Sequence, residues 1–286
     1  MRRITGSGLI AAVFAVLLFL QGVTPAAAEP FTDAKKAEVE AIVGEYLKAN
    51  PEFVGDYLRR NPEILVEVSR ILKERAARAD REAQAAAMEA RREELERHPM
   101  TPVSGNPDGD VTLVEFFDYN CGYCKRAFAA MKEIEAEDPN LRVVWKEYPI
   151  LVRGTPTSLT AAQAAMAADR QGKYNAFHDA LMSVRGPLKT DAQVFGIAAD
   201  IGLDVARLKK DMKDPALKAY LQETVNLGGV LKFQGTPTFV IDGAVIGGAL
   251  PKEYLVATIA AARAGELKTG LLSEEDLADI FLKFGS

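Results

Sequence analysis

Apolar positions from residue 33 to about 97 recur three and four apart with no period-two alternation, so this stretch reads as helical throughout. Asn50-Pro51-Glu52 and Asn61-Pro62-Glu63 repeat one helix-start signal. Asn suits the N-cap, Pro the first helical position and Glu the first turn. The signals predict helices over 33–48, 51–60 and 62–97, the last about 50 Å long. Its stripe runs through Ile64, Leu65, Val68, Ile71 and Leu72, then Ala76, Ala79, Ala83, Ala86 and Ala90, a coiled-coil-like spacing. Glu74 with Arg78 and Glu93 with Arg97 are favourable i,i+4 pairs. A helix of this length cannot bury its stripe on itself. It packs on its own domain or on further copies, and self-association with contacts concentrated between residues 33 and 72 is the expectation.

The pattern changes after His98-Pro99. Residues 101–110 carry Pro102, Gly105, Pro107 and Gly109, a linker composition. The following order is strand, helix, strand, helices, strand pair, helix, which predicts an α/β domain. Residues 111–118 read as a buried strand, 125–137 as an amphipathic helix and 141–148 as a second strand. Residues 158–233 are helical throughout. Residues 238–241 and 244–246 alternate around Asp242-Gly243, a hairpin signal. Residues 251–264 form a closing helix, and 273–284 one more short helix with Ser273 as N-cap. The predicted domains are a helical oligomerisation region over 29–97, a linker over 98–110, an α/β domain over 111–265 with a helical insertion at about 156–233, and a tail over 266–286.

The first residues follow neither pattern. Arg2 and Arg3 precede an uninterrupted apolar run from Leu9 to Leu20, and Ala26-Ala27-Ala28 offers a small-residue cleavage site. This predicts a signal peptide over residues 1–28, cleaved after Ala28, rather than an uncleaved anchor. No lipobox cysteine follows. An exported chain meets an oxidising compartment, and the periplasm is the expected one. The formal net charge of −5 gives no sign of nucleic-acid binding.

The chain has two cysteines, and both lie in Cys121-Gly122-Tyr123-Cys124 at the predicted strand-to-helix junction. Unpaired N–H groups and the dipole at a helix N-terminus favour an anion, which lowers the Cys121 pKa. The thiolate is the nucleophile of disulfide exchange. Cys124, one turn on, can close a disulfide or release a trapped mixed disulfide. Structural zinc wants four ligands, whereas this chain offers no second cysteine pair, and its histidines, His98 and His178, lack ligand spacing. A purely structural disulfide closing so short a loop would contribute little.

Residues from about 103 to 265 resemble the DsbA-like branch of the thioredoxin superfamily. The resemblance rests on Glu115-Phe116-Phe117-Asp118-Tyr119-Asn120 leading into the cysteine motif, on the helical insertion, and on Gly235-Thr236-Pro237-Thr238-Phe239. Ile241-Asp242-Gly243 and Gly247-Gly248-Ala249 follow in order. With its helical extension, the mature chain is similar to the copper-tolerance thiol–disulfide proteins of that branch. The resemblance implies a thioredoxin fold with a DsbA-type helical insertion, preceded by an all-helical oligomerisation region. It implies a cis Thr236–Pro237 bond, rather than an ordinary trans turn proline, that sets the Thr236 backbone beside the cysteines. It implies that Glu115 is a buried acid relaying protons for Cys124; a solvent-facing or paired glutamate is the other reading.

Strong oxidases of this family carry histidine before the second cysteine. Tyr123 brings no positive charge, and Gly122-Tyr123 with Thr236 resembles the disulfide isomerases more. The expected activity is thiol–disulfide exchange, mainly isomerisation through a mixed disulfide on Cys121. The expected assembly is a homotrimer through residues 29–97. Expected partners are misfolded or disulfide-bearing exported proteins and a membrane thiol reductase, with no nucleic acid and no stable membrane insertion after cleavage. No cofactor is required. Alternatives are a dithiol oxidase, a Cu(I)-binding protein using Cys121 and Cys124, since two thiolates suit that soft cation, and a passive holdase.

Overall fold

The computed structural model describes residues 32–285, so the expected signal peptide lies outside the described residues. The chain divides into two compact units between Ile71 and Leu72.

The first unit contains α1 (Asp33–Ala49), α2 (Pro51–Arg60) and the beginning of α3 (Glu63–Ala90). Pro51 occupies the first turn of α2 as expected. Asn50 stands at the N-cap of α2 and Asn61 two residues before α3, but neither side chain bonds forward as an N-cap. Their side-chain amides donate backwards to Tyr46 O and Tyr57 O, at 2.8 and 2.7 Å, and so close the preceding helix. No residue of α1 or α2 is buried. Val39, Ile42, Val43, Tyr46, Phe53 and Tyr57 are all exposed, with Ile42 at 61% and Val66 of α3 at 72%.

The second unit is built on a six-stranded mixed sheet in the order β1-β3-β2-β4-β5-β6. The strands are β1 (Val103–Gly105), β2 (Val111–Phe117), β3 (Leu141–Glu147), β4 (Thr238–Ile241), β5 (Ala244–Gly247) and β6 (Gly270–Leu271). β2 and β3 are parallel and joined through α5 (Gly122–Glu137); β4 runs antiparallel to β2 and to β5. Five insertion helices lie between β3 and β4: α6 (Thr157–Asp169), α7 (Tyr174–Met182), α8 (Asp191–Asp200), α9 (Val205–Asp211) and α10 (Pro215–Val230). α11 (Lys252–Arg263) and α12 (Glu274–Phe284) close the chain.

Both sheet faces are covered, which explains the nearly continuous apolar run of β2. Leu113 and Phe117 pack with Cys124, Phe128 and Met131 of α5. Val114 and Phe116 point the other way, into a second core with Tyr148, Leu231 and Phe233. The side-chain period of two puts Glu115 on the Leu113 and Phe117 face.

Two boundaries differ from the sequence reading. The third helix does not run to Arg97. It stops at Ala90, and a separate turn, α4 (Arg92–Glu96), follows. Met88 and Leu95 are buried in the second core. Lys146 Nζ takes Glu94 O at 2.7 Å, and the Arg142 guanidinium takes Glu96 O at 2.9 Å. These sheet-borne cations satisfy the carbonyls at the end of α4, so the chain turns onto the sheet instead of extending away. Residues 72–97 therefore belong to the same compact unit as the sheet. The expected linker is also structured, since Val103–Gly105 pairs antiparallel with β3. Gly105 adopts φ +68°, and a Cβ there would lie 2.4 Å from Leu141 O. In the tail, β6 adds to the sheet edge beside β5, and Ser273 caps α12 as expected.

Candidate active site

β2 ends at Phe117, and Asp118 to Asn120 carry the chain into α5. Asp118 accepts from the N–H groups of Asn120 and Leu151 at 2.8 and 3.0 Å. Asn120 donates to Thr157 Oγ1 and Ser158 Oγ and accepts from Leu188 N–H. The loop before the cysteines is thus pinned to the insertion, which fixes where α5 begins.

Cys121 is the N-cap of α5, and its sulfur accepts from Cys124 N–H at 3.4 Å. Its thiol also reaches Thr236 O at 3.2 Å. Hydrogen bonding with the Cys124 side chain is the largest effect on its acidity. With the Thr236 side chain and the N–H groups of Cys124 and Tyr123, it outweighs burial and lowers the pKa from 9.0 to about 6. Cys124 moves the opposite way. Burial chiefly raises its pKa far above the usual thiol range, reinforced by the hydrogen bond to Cys121 and by the charges of Glu115 and Cys121. One thiol is therefore a ready nucleophile and the other a held proton donor.

Thr236–Pro237 is cis, and the loop before β4 brings Thr236 against Cys121. Gly122 and Tyr123 form the first turn of α5. Tyr123 is exposed, and the Arg126 guanidinium lies 4.1 Å from its ring centre. Arg126 therefore puts a cation on the dipeptide, which reading the four-residue motif alone misses.

Glu115 lies opposite Trp145 of β3 and Phe239 of β4. It is buried, and neither carboxyl oxygen has a hydrogen-bond partner. Burial first, then the charges of Cys121 and Glu135, holds its pKa well above the carboxylate range. The solvent-facing or paired alternative does not hold. A neutral carboxyl electrostatically coupled to both cysteines can store and return a proton.

Three features near the cysteines carried no readable sequence signal. Lys125 Nζ caps the end of α7 through Leu181 O and Val184 O, both at 2.9 Å, and burial lowers its pKa to about 8. Tyr119 and Tyr174 both donate to Glu147 Oε1, at 3.0 and 2.8 Å. His178 Nδ1 lies 3.0 Å from the Tyr119 hydroxyl inside a cage of aromatic rings, and burial holds its pKa at about 3, neutral. His98 packs instead against Tyr220, with Glu223 3.8 Å from its Nε2.

A thiolate-poised Cys-x-x-Cys at a helix start, facing a cis-proline loop on a mixed sheet, defines the thiol–disulfide oxidoreductase class of the thioredoxin fold. The chain belongs to the DSBA-like thioredoxin domain family, whose profile matches residues 112–260. It is similar to a thioredoxin-like oxidoreductase from Silicibacter pomeroyi DSS-3, with 44% identity and a TM-score of 0.56 over 62% of this chain and 99% of that one. A linker-deletion mutant of Proteus mirabilis ScsC matches over 84% of this chain and 100% of its own, with 26% identity and a TM-score of 0.60. Among curated proteins, Na(+)/H(+) antiporter NhaA 1 of Salinispora arenicola is 34% identical over 163 residues, 57% of this chain and 25% of the antiporter. The chain thus spans about a quarter or less of the length of the curated relatives it matches first. Among the described residues, no helix is long and apolar enough to cross a membrane.

Proposed function

We propose that this protein is an exported, periplasmic thiol–disulfide oxidoreductase acting mainly as a disulfide isomerase. The Cys121 thiolate attacks a wrong disulfide in a client, a client thiolate leaves, and a mixed disulfide forms. The freed client thiol then rearranges its neighbours and displaces Cys121. If rearrangement stalls, Glu115 in its ionised form takes the Cys124 proton, the Cys124 thiolate attacks Cys121, and the client thiolate leaves, so the client is released reduced and the Cys121–Cys124 disulfide remains. A membrane thiol reductase restores the dithiol.

The asymmetry of the two thiols carries this reading. A pKa of about 6 leaves Cys121 mostly ionised near neutrality, yet it is less acidic than the roughly 3.5 of a strong oxidase such as DsbA. Copper tolerance, which the family resemblance suggests, would act through repair of copper-damaged disulfides. The exposed apolar side chains of the first unit support self-association, and the family resemblance makes the assembly a homotrimer, so that several sites face one client.

Reduced protein incubated with scrambled ribonuclease tests the reading. Regained ribonuclease activity, lost in Cys121→Ser, is expected. No regained activity, with rapid oxidation of reduced ribonuclease by the disulfide form, would make the protein an oxidase.

A further inference from the structure

A groove leads away from the cysteines along a wall supplied by α3. Near the redox site it is a cavity of about 340 Å³ whose rim includes Tyr123, Thr236 and Pro237. Gln84, Lys232, Gln234 and Leu271 line both this cavity and the next, of about 380 Å³, which reaches Ala77 on α3. The two are therefore one continuous trough. Its floor is the loop before β4 and the edge strand β6; its far wall is the part of α3 after Leu72.

This wall is fixed in place. Gln84 Nε2 donates to Leu231 O at 2.7 Å, and Asp80 pairs with Lys232 at 2.8 Å. At β6, a Cβ on Gly270 would meet Arg81 O at 3.0 Å, so helix and strand run in close contact. Leu271, in that strand, is nevertheless 47% exposed. The backbone N–H groups of Gln234, Gly235 and Thr236 donate to no acceptor within the described residues. Three consecutive free donors beside an apolar trough suit one occupant, an extended polypeptide segment that pairs through its backbone and buries apolar side chains.

We infer that the trough between α3 and β6 holds the apolar residues flanking a client cysteine, making Leu271 and the Ala77 face of α3 determinants of client choice. The inference rests on thiol exchange at Cys121. It gives the second half of the helical extension a role in substrate selection separate from any role in assembly.

The test uses full-length Cys124→Ser protein, in which Cys121 can attack but not be released. The probes are two cysteine peptides carried as mixed disulfides with thionitrobenzoate, one flanked on both sides by Leu and Val, the other by Gly and Ser. The Cys121 thiolate attacks the peptide sulfur, a new S–S bond replaces the old one, and coloured thionitrobenzoate leaves with the electron pair. At subsaturating concentration the apolar peptide should react at least about fivefold faster, equivalent to about 1 kcal/mol. Leu271→Lys should abolish that preference. Ala77→Arg, on an exposed helical position, should do the same and serves if the first variant folds poorly. Leu282→Lys, at an 83% exposed site outside the trough, should leave the preference intact. Equal rates for the two peptides, or a preference that survives both trough variants, overturn the inference. Failure of Cys121 to react with either peptide would instead overturn the proposed thiol exchange.

Discussion

The acidity of Cys121 can be measured directly. Its fall from 9.0 to about 6 amounts to about 4 kcal/mol of preference for the thiolate at 1.36 kcal/mol per unit. About 90% of the sulfur would then be ionised at pH 7. Alkylation of the reduced protein by iodoacetamide, followed against pH, should rise with a midpoint near 6 and be absent in Cys121→Ser. Cys124, buried and far less acidic, should stay unmodified across the same range. The same shift appears in stability. The folded pKa lies below the unfolded one, so between pH 6 and 9 the unfolded chain binds more protons and folding stability rises with pH. Urea denaturation of the reduced protein should therefore lose stability relative to Cys121→Ser as pH falls from 9 through 6. An alkylation midpoint at the ordinary thiol value of about 8.5 refutes the reasoning, because the bonds to Cys124 and Thr236 would then not stabilise the thiolate.

Glu115→Gln should slow release of a mixed disulfide by Cys124 on the order of 100-fold while Cys121 still alkylates; stopped-flow release of a trapped peptide checks this, and an unchanged rate removes the relay. Leu95→Ala and Met88→Ala should each cost about 2–5 kcal/mol in chemical denaturation, since both are buried in the second core. Leu65→Ala, at an exposed position in the first unit, should cost under about 0.5 kcal/mol in the monomer and instead weaken association seen by sedimentation. Deleting residues 29–71 should give a stable monomer with reduced isomerase activity. Deleting 29–97 should destabilise the catalytic unit as well, which thermal melting would distinguish.

The redox centre was largely legible because its parts are local. A Cys-x-x-Cys after an apolar strand and before an amphipathic helix needs no tertiary knowledge, and Gly235-Thr236-Pro237 is a strong enough signature to place the facing loop. Glu115 was harder. The run around it is apolar on both sides because helices cover both sheet faces, so period-two alternation could not tell inside from outside. The end of α3 was misread for a related reason. An alanine stripe looks the same whether it lies on another copy or on its own sheet. The deciding groups, Lys146 and Arg142, lie some fifty residues further along the chain. The pairing of β1 and β6 is likewise non-local, and short strands carry too few residues for a pattern. Asn50 and Asn61 fit either end of a helix by residue type, and only their side-chain direction separates a start from a stop.

Where the chain changes unit bears on how catalysis and assembly are divided. If everything before residue 98 were a tether, client choice would rest with the thioredoxin domain and the tether would only bring sites together. On the proposed function and the inferred client trough, the boundary at Leu72 would divide those tasks within one helix. Before it, apolar side chains stand exposed and unclaimed by their own unit. After it, Met88 is buried against the sheet and Gln84 holds the loop that leads into cis-Pro237. A substitution at Gln84 would therefore act on the redox centre by loosening the Leu231–Pro237 loop, and one at Ile42 would act on association. Gln84→Ala should change the pH profile of Cys121 alkylation, because Thr236 in that loop helps lower the thiol pKa. Ile42→Ser should leave the profile unchanged and lower only the sedimentation coefficient. A Gln84→Ala protein with an unaltered profile would show that the loop is held by its other contacts, and that α3 serves only as a wall.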